Sequence, residues 1–151
     1  MECPSIINLG YGAFSEKLHR NANQQRIPLS GSLEVTMRCN LRCEHCYIPF
    51  SKRAGAQQGE LSLAEIQRIF SELADAGCLW LLLTGGEPFL RKDFLQIYAA
   101  AKRQGFIPTI FTNGTLITEK IADYLAEWRP FSIEISLYGA TQATYERVTG
   151  N

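Results

Sequence analysis

No run of apolar residues in this chain is long enough to cross a bilayer. The longest clean stretch, Cys78 to Leu83, falls far short of the roughly 20 residues a spanning helix needs. Charge of one sign is not in excess either. Acidic and basic side chains balance at 15 each, so no global field draws the protein to nucleic acid or to an anionic membrane. The N-terminus, MECPSIINLGYGAF, lacks a basic segment followed by an apolar one, which argues against secretion. Without an export signal, five cysteines point to metal chemistry in a reducing compartment, the cytosol, and away from disulfides. A length of 151 residues supports one domain with a real core but is short for a complete barrel enzyme.

What is present is a regular alternation of strand and helix signals. Residues 1–30 are polar and irregular and read as a lead-in, with the domain proper at 31–151. Leu33 to Met37 alternates as a strand, and Ser51 to Gly59 has no hydrophobic period and reads as a mobile loop. Ser62 opens a helix with Glu65 completing a capping box; Ile66, Ile69, Phe70 and Leu73 form its apolar face, and Gly77 stops it. Leu79 to Thr84 is a continuous apolar strand, as expected where a parallel sheet is covered on both faces.

Asp93 with Gln96 is expected to cap a second helix whose stripe is Phe94, Ile97, Tyr98 and Ala101, ending at Gly105. Phe106 to Phe111 is the next strand, irregular at its start because of Pro108. Thr118 opens a third helix through Ile121, Leu125 and Trp128; Phe131 to Leu137 alternates as a fourth strand, and Thr141 begins a last helix. The pattern predicts an α/β fold with a parallel sheet and right-handed crossovers.

Cys39, Cys43 and Cys46 stand in a C-x3-C-x2-C spacing directly after the first strand. Three thiolates this close converge on one metal centre at little loop-closure cost. The spacing does not fit the paired C-x2-C knuckles of a zinc ribbon. A [4Fe–4S] cube usually takes four cysteines, so three would leave one iron open to another ligand. A structural zinc site with His45, Cys3 or Cys78 as fourth ligand is the alternative, although His45, immediately beside Cys46, is awkwardly placed to share a metal with it. Further special residues follow the other strands: Gly85-Gly86-Glu87-Pro88, then Thr112-Asn113-Gly114, then Ser136. In α/β barrels and sheets the C-terminal strand ends carry the site. Four such groups on one rim point to a shared pocket.

These residues resemble those of a known family, the radical S-adenosylmethionine (radical SAM) enzymes. CNLRCEHCY is similar to their cluster loop, TGGEP to their second-strand motif, and FTNG and ISLYG to their third and fourth strand ends; the similarity runs from Leu33 to the end of the chain. The lead-in and LWLLLTGGEP also resemble members that carry a C-terminal peptide-maturation (SPASM-type) extension.

The resemblance implies the first four βα units of a partial (β/α)6 TIM-like barrel, truncated before its last two units. It implies a [4Fe–4S] cluster on Cys39, Cys43 and Cys46, with S-adenosylmethionine on the open iron and reductive cleavage to a 5′-deoxyadenosyl radical that abstracts hydrogen from a substrate, a peptide in the maturation branch. His45 occupies the aromatic position beside the adenine, and Gly85, Gly86 and Glu87 offer backbone carbonyls to the substrate ammonium. Ser136 contacts the ribose or carboxylate, and Thr112 and Asn113 line the substrate side. Glu87 is implied to bind and not to act as a base, and no acid–base pair is implied. Arg38 and Arg42 flank the cysteines and favour thiolates. Cys3 and Cys78 match no family position, and Cys78 reads as a small buried hydrophobe. A flavodoxin- or ferredoxin-like electron donor is implied as partner. Two readings of other classes remain open: a cluster- and cofactor-binding module without turnover, and a zinc-stabilised interaction domain.

Overall fold

The computed structural model describes residues 10–48 and 59–150. The expected loop over residues 51–58 and the position of Cys3 lie outside the described residues. Four parallel strands, β1 (Ser30–Thr36), β2 (Trp80–Gly85), β3 (Ile107–Thr112) and β4 (Ser132–Ile135), lie side by side in chain order. Helices α2 (Leu63–Asp75), α3 (Phe94–Arg103), α4 (Glu119–Glu127) and α5 (Gln142–Thr149) each follow one strand, and a 3-10 turn at Pro88–Leu90 precedes α3. This is the βα alternation read from the sequence. Among the described residues no helix is long and apolar enough to cross a membrane.

Over its described residues the polar lead-in is not irregular. It forms a helix, α1 (Tyr11–Gln25), that ends at Arg26 in the left-handed conformation (φ 55°). Its anchors are few: Ala22 is buried, and His19 stacks on Trp80 with ring centroids 6.3 Å apart. A Glu16–Arg20 ion pair one turn apart adds local support. So narrow a buried stripe leaves almost no hydrophobic period to detect.

β1 begins at Ser30, three residues before the expected Leu33, because pairing recruits residues with no strand signal of their own. Ser30, Gly31 and Ser32 align with Trp80, Leu81 and Leu82. Pro108 sits inside β3 opposite Leu81, and its carbonyl accepts from the Phe131 N–H at 2.8 Å, so that side of the residue faces β4. Ladder pairing with β4 starts only at Thr109, and the donor that proline lacks is therefore missing where no ladder bond is due. β4 itself is shorter than expected. It is paired on one side only, and Phe131, Ile135 and Leu137 are 70, 57 and 77% exposed.

The core lies between the sheet and its helices. Leu81, Leu83 and Ile110 pack beneath Ile66 and Phe70 of α2 and Phe94, Ile97, Tyr98 and Ala101 of α3. Burial pushes the Tyr98 phenol up to about 12, and its hydroxyl donates to the Trp128 carbonyl.

The capping box of α2 is present in both directions. Glu65 N–H donates to Ser62 Oγ at 3.3 Å, and Ser62 N–H donates to the Glu65 carboxylate at 2.8 Å. Ser62→Ala is expected to cost about 1 kcal/mol, measured as a lower midpoint in chemical denaturation with an unchanged slope; an unchanged midpoint would mean that the cap contributes nothing. The expected cap of α3 is not made. Asp93 holds the N-terminal position without a side-chain cap bond, and its carboxylate instead takes Arg91 at 2.9 and 2.7 Å. Arg91 is buried, reaching the Val35 and Leu61 carbonyls, and a buried guanidinium requires a counter-charge. Bonding to that guanidinium holds the Asp93 carboxyl below its usual range.

Candidate active site

The cysteine loop leaves β1 at the C-terminal rim of the sheet and is fastened from three sides. Gly86 N–H donates to the Thr36 carbonyl at 2.8 Å, and Glu87 N–H donates to the Arg38 carbonyl at 2.7 Å, so the end of β2 lies against the start of the loop. From the far end of the chain, the Thr149 and Val148 carbonyls of α5 accept the Arg42 and Glu44 N–H groups at 2.8 and 3.2 Å. Carbonyls of the last helical turn have no partner within their own helix, and here two of them hold the loop. On the third side, Asn113 donates to Asn40 at 2.9 Å, and Asn40 donates to Thr115 at 2.8 Å. Thr115 closes the ring by donating back to Asn113 through both its N–H and its hydroxyl.

The loop walls a cleft of about 190 Å³. Cys39, Cys43 and Cys46 all line it and are partly exposed. Leu41 N–H donates to Cys39 Sγ at 3.4 Å, with the Asn113 amide 3.9 Å from the same sulfur. Gly85, Gly86, Thr112, Asn113 and Ser136 form the opposing walls, and His45 stands at the cleft with its ring edge-on to Tyr138, centroids 4.4 Å apart. Nine of the ten expected site residues therefore meet at one rim.

The tenth, Glu87, does not face the cleft. It is wholly buried, and its carboxylate accepts from Thr112 Oγ1 at 2.8 and 3.0 Å, from Asn113 N–H at 2.8 Å and from Phe89 N–H at 3.1 Å. It is a tie between the ends of β2 and β3. The Thr112 hydroxyl is thereby committed to Glu87, and it also accepts the Gly114 N–H at 2.9 Å. Thr112 and Asn113 line the cleft with polar atoms already engaged by protein partners. Sequence reasoning missed Tyr138, Tyr47 and Phe111, which also line the cleft. The first two stand within the CNLRCEHCY and ISLYG motifs and were legible there as aromatics; Phe111 was hidden because it read as the last residue of a strand. The Tyr47 hydroxyl donates to Glu34 at 3.2 Å, and partial burial with the Glu34 charge pushes its phenol up.

The donor set at the cleft is three thiols. Among the described residues no three His, Cys, Asp or Glu side chains converge as a site for a single metal ion, yet three thiols line one cleft. Cys78 cannot supply a fourth. It precedes β2 at the opposite end of the strand, is buried with its thiol against the Trp80 carbonyl at 3.5 Å, and burial pushes that thiol up. A cube held by three cysteines, with one iron left for another ligand, fits this arrangement.

Residues 33–151 match the family model described as the radical SAM superfamily. The chain belongs to that superfamily. Its members are enzymes that use a [4Fe–4S] cluster and S-adenosylmethionine. The PqqA peptide cyclase of Bradyrhizobium diazoefficiens is 34% identical over 136 residues, covering 89% of this chain and 35% of the cyclase. An Fe-coproporphyrin III synthase of Methanosarcina barkeri is 38% identical over 105 residues, covering 70% of this chain and 26% of the synthase. Crystal structures of Streptococcus suis SuiB share the fold. One, bound to its precursor peptide SuiA, gives a TM-score of 0.71 at 21% identity over 99% of this chain and 35% of SuiB. Another, bound to S-adenosylmethionine, gives 0.68 at 20% identity over 99% of this chain and 34% of SuiB. The radical SAM chain described here spans about a third of the length of the curated relatives it matches.

Proposed function

We propose that residues 31–151 form part of a radical SAM core, behind a lead-in at 1–30, in which Cys39, Cys43 and Cys46 hold a [4Fe–4S] cluster. The observation that carries this is the meeting of three cysteines, with no fourth among the described residues, in one cleft with the ends of β2, β3 and β4. Together with S-adenosylmethionine such a cluster supplies, on one-electron reduction, a 5′-deoxyadenosyl radical for hydrogen abstraction. The protein's part is to position the cofactor and shield the cleft. Backbone carbonyls at Gly85 and Gly86 receive a substrate ammonium group, Ser136 meets the cofactor's ribose or carboxylate, and His45 with Tyr138 offers an aromatic wall to its adenine. Glu87 keeps these walls in register from behind.

The substrate is a peptide on this reading, which the peptide cyclase and the peptide-bound SuiB support. The Fe-coproporphyrin III synthase favours a second reading, a tetrapyrrole. A small flavodoxin- or ferredoxin-type protein supplies the electron, and the compartment is the cytoplasm, in keeping with five cysteines and a metal chemistry that needs reduced thiols.

After anaerobic reconstitution, adding S-adenosylmethionine is expected to change the electron paramagnetic resonance spectrum of the reduced cluster. A spectrum unaltered at saturating cofactor would reject direct coordination. Zinc without labile sulfide would support the interaction-domain reading instead. Formation of 5′-deoxyadenosine separates an enzyme from a module that binds without turnover.

A further inference from the structure

Immediately before the first cysteine, Arg38 is held by a carboxylate far from it in sequence. Its Nε and Nη2 donate to Glu60 Oε1 and Oε2 at 2.8 and 3.1 Å, a bidentate pair with side chains 27 and 15% exposed. The Thr36 hydroxyl donates to the same carboxylate, and Thr36 Oγ1 accepts the Arg38 N–H at 3.1 Å. Glu60 thus gathers the last residue of β1 and the residue preceding Cys39. The Arg38 carbonyl, in turn, accepts the Glu87 N–H that seats the loop on β2. Burial pushes the Glu60 carboxyl up, but bonds from Arg38 and Thr36 with the charges of Arg38 and Arg91 outweigh it, and the group is held below its usual range. Glu60 is therefore ionised at neutral pH. Arg91 already has its own counter-ion in Asp93, which leaves Glu60 to balance Arg38.

We propose that Glu60 is a positioning residue for the metal centre: it fixes Arg38 and cancels its charge beside Cys39, and so sets the reduction potential of a cluster bound there. The inference rests on the three-cysteine reading. The physical argument is electrostatic. One-electron reduction adds a negative charge to the cluster, and a nearby unbalanced cation stabilises that form. Partly buried charges are screened less than exposed ones, so the balance at this pair reaches the cluster.

The test is a redox titration, followed by electron paramagnetic resonance, of the reconstituted chain and three variants. Glu60→Gln keeps an acceptor for Arg38 but leaves the cation unbalanced, and its midpoint is expected to move positive. Arg38→Gln leaves the carboxylate unbalanced, and its midpoint is expected to move negative. The double variant removes both charges and is expected to return close to wild type. Equal midpoints in wild type and both single variants, with cluster content intact, would overturn the proposal. Shifts of one sign in all three variants, or loss of cluster in the double variant, would also overturn it, since the pair would then be merely structural. A wild-type chain that takes up no cluster would defeat the three-cysteine reading itself, and this inference with it.

Discussion

Changing Cys39, Cys43 and Cys46 together to alanine is expected to remove essentially all cluster iron and labile sulfide, whereas Cys78→Ala leaves both near wild-type amounts. The first half follows from the cleft, where these three thiols are the cysteine ligands available among the described residues. All three are partly exposed and outside the apolar core, so their removal does not open a core cavity. The apo variant should therefore unfold close to the wild-type apo protein, which separates lost ligation from lost fold. Cys78 is the opposite case. It packs in the core at the start of β2, and its thiol is 3.4 Å from where a Cβ on Gly31 would stand. Cys78→Ala trims the core and lowers stability modestly. Iron and sulfide analysis after anaerobic reconstitution decides the matter. Loss of the cluster in Cys78→Ala, with the protein still folded, would sink the three-ligand assignment.

Gly86→Val is expected to be the most damaging single change at the rim. A Cβ at this position would lie 2.3 Å from the Arg38 carbonyl oxygen, 2.6 Å from its carbon and 2.7 Å from the Met37 oxygen. Every one of these is a backbone atom, so no rotamer change relieves the overlap, and the cysteine loop itself must move. Such a move breaks the bonds from Gly86 to Thr36 and from Glu87 to Arg38. Overpacking of this kind costs roughly 3 kcal/mol. The close approach that demands glycine here is that of the chain's own backbone, ahead of any ligand. Gly85 is equally confined, at φ 143° with the Thr36 carbonyl oxygen 2.2 Å from a built Cβ. Thermal unfolding of the apo protein is expected to shift down sharply for Gly86→Val, with cluster uptake reduced in parallel. Gly12→Ala, on α1 with open space around it, serves as the control and should unfold no lower than wild type. Equal melting and equal cluster content in wild type and Gly86→Val would refute the packing argument.

Helix positions and the rim motifs were legible because their causes are local. The Ser62–Glu65 box, the Thr118 and Thr141 caps and the stripe through Phe94, Ile97 and Tyr98 each arise within a few residues. The misses share a different cause. Asp93 has the look of a cap, but a buried Arg91 two residues away claims its carboxylate. The helix α1 is held mainly by the contacts of Ala22 and His19, too few to leave a period. Ser30–Ser32 becomes strand only because β2 lies alongside.

By itself the sequence determined the order of strands and helices from β1 onward, the family resemblance, and the three cysteines with their glycine, threonine and serine counterparts on successive strand ends. The order and the cysteine spacing are patterns written along the chain, and the family is what the resemblance of those motifs implied. Only the tertiary structure decided what each rim residue does with its polar atoms. It turned Glu87 inward to bind Thr112 and Asn113, closed the ring of Asn40, Asn113 and Thr115, and used the end of α5 to grip the cysteine loop. It also brought Glu60 onto Arg38. Each of these joins groups more than twenty residues apart, and whether a carboxylate ties two strands or faces a cleft depends on which partner the packed sheet sets beside it.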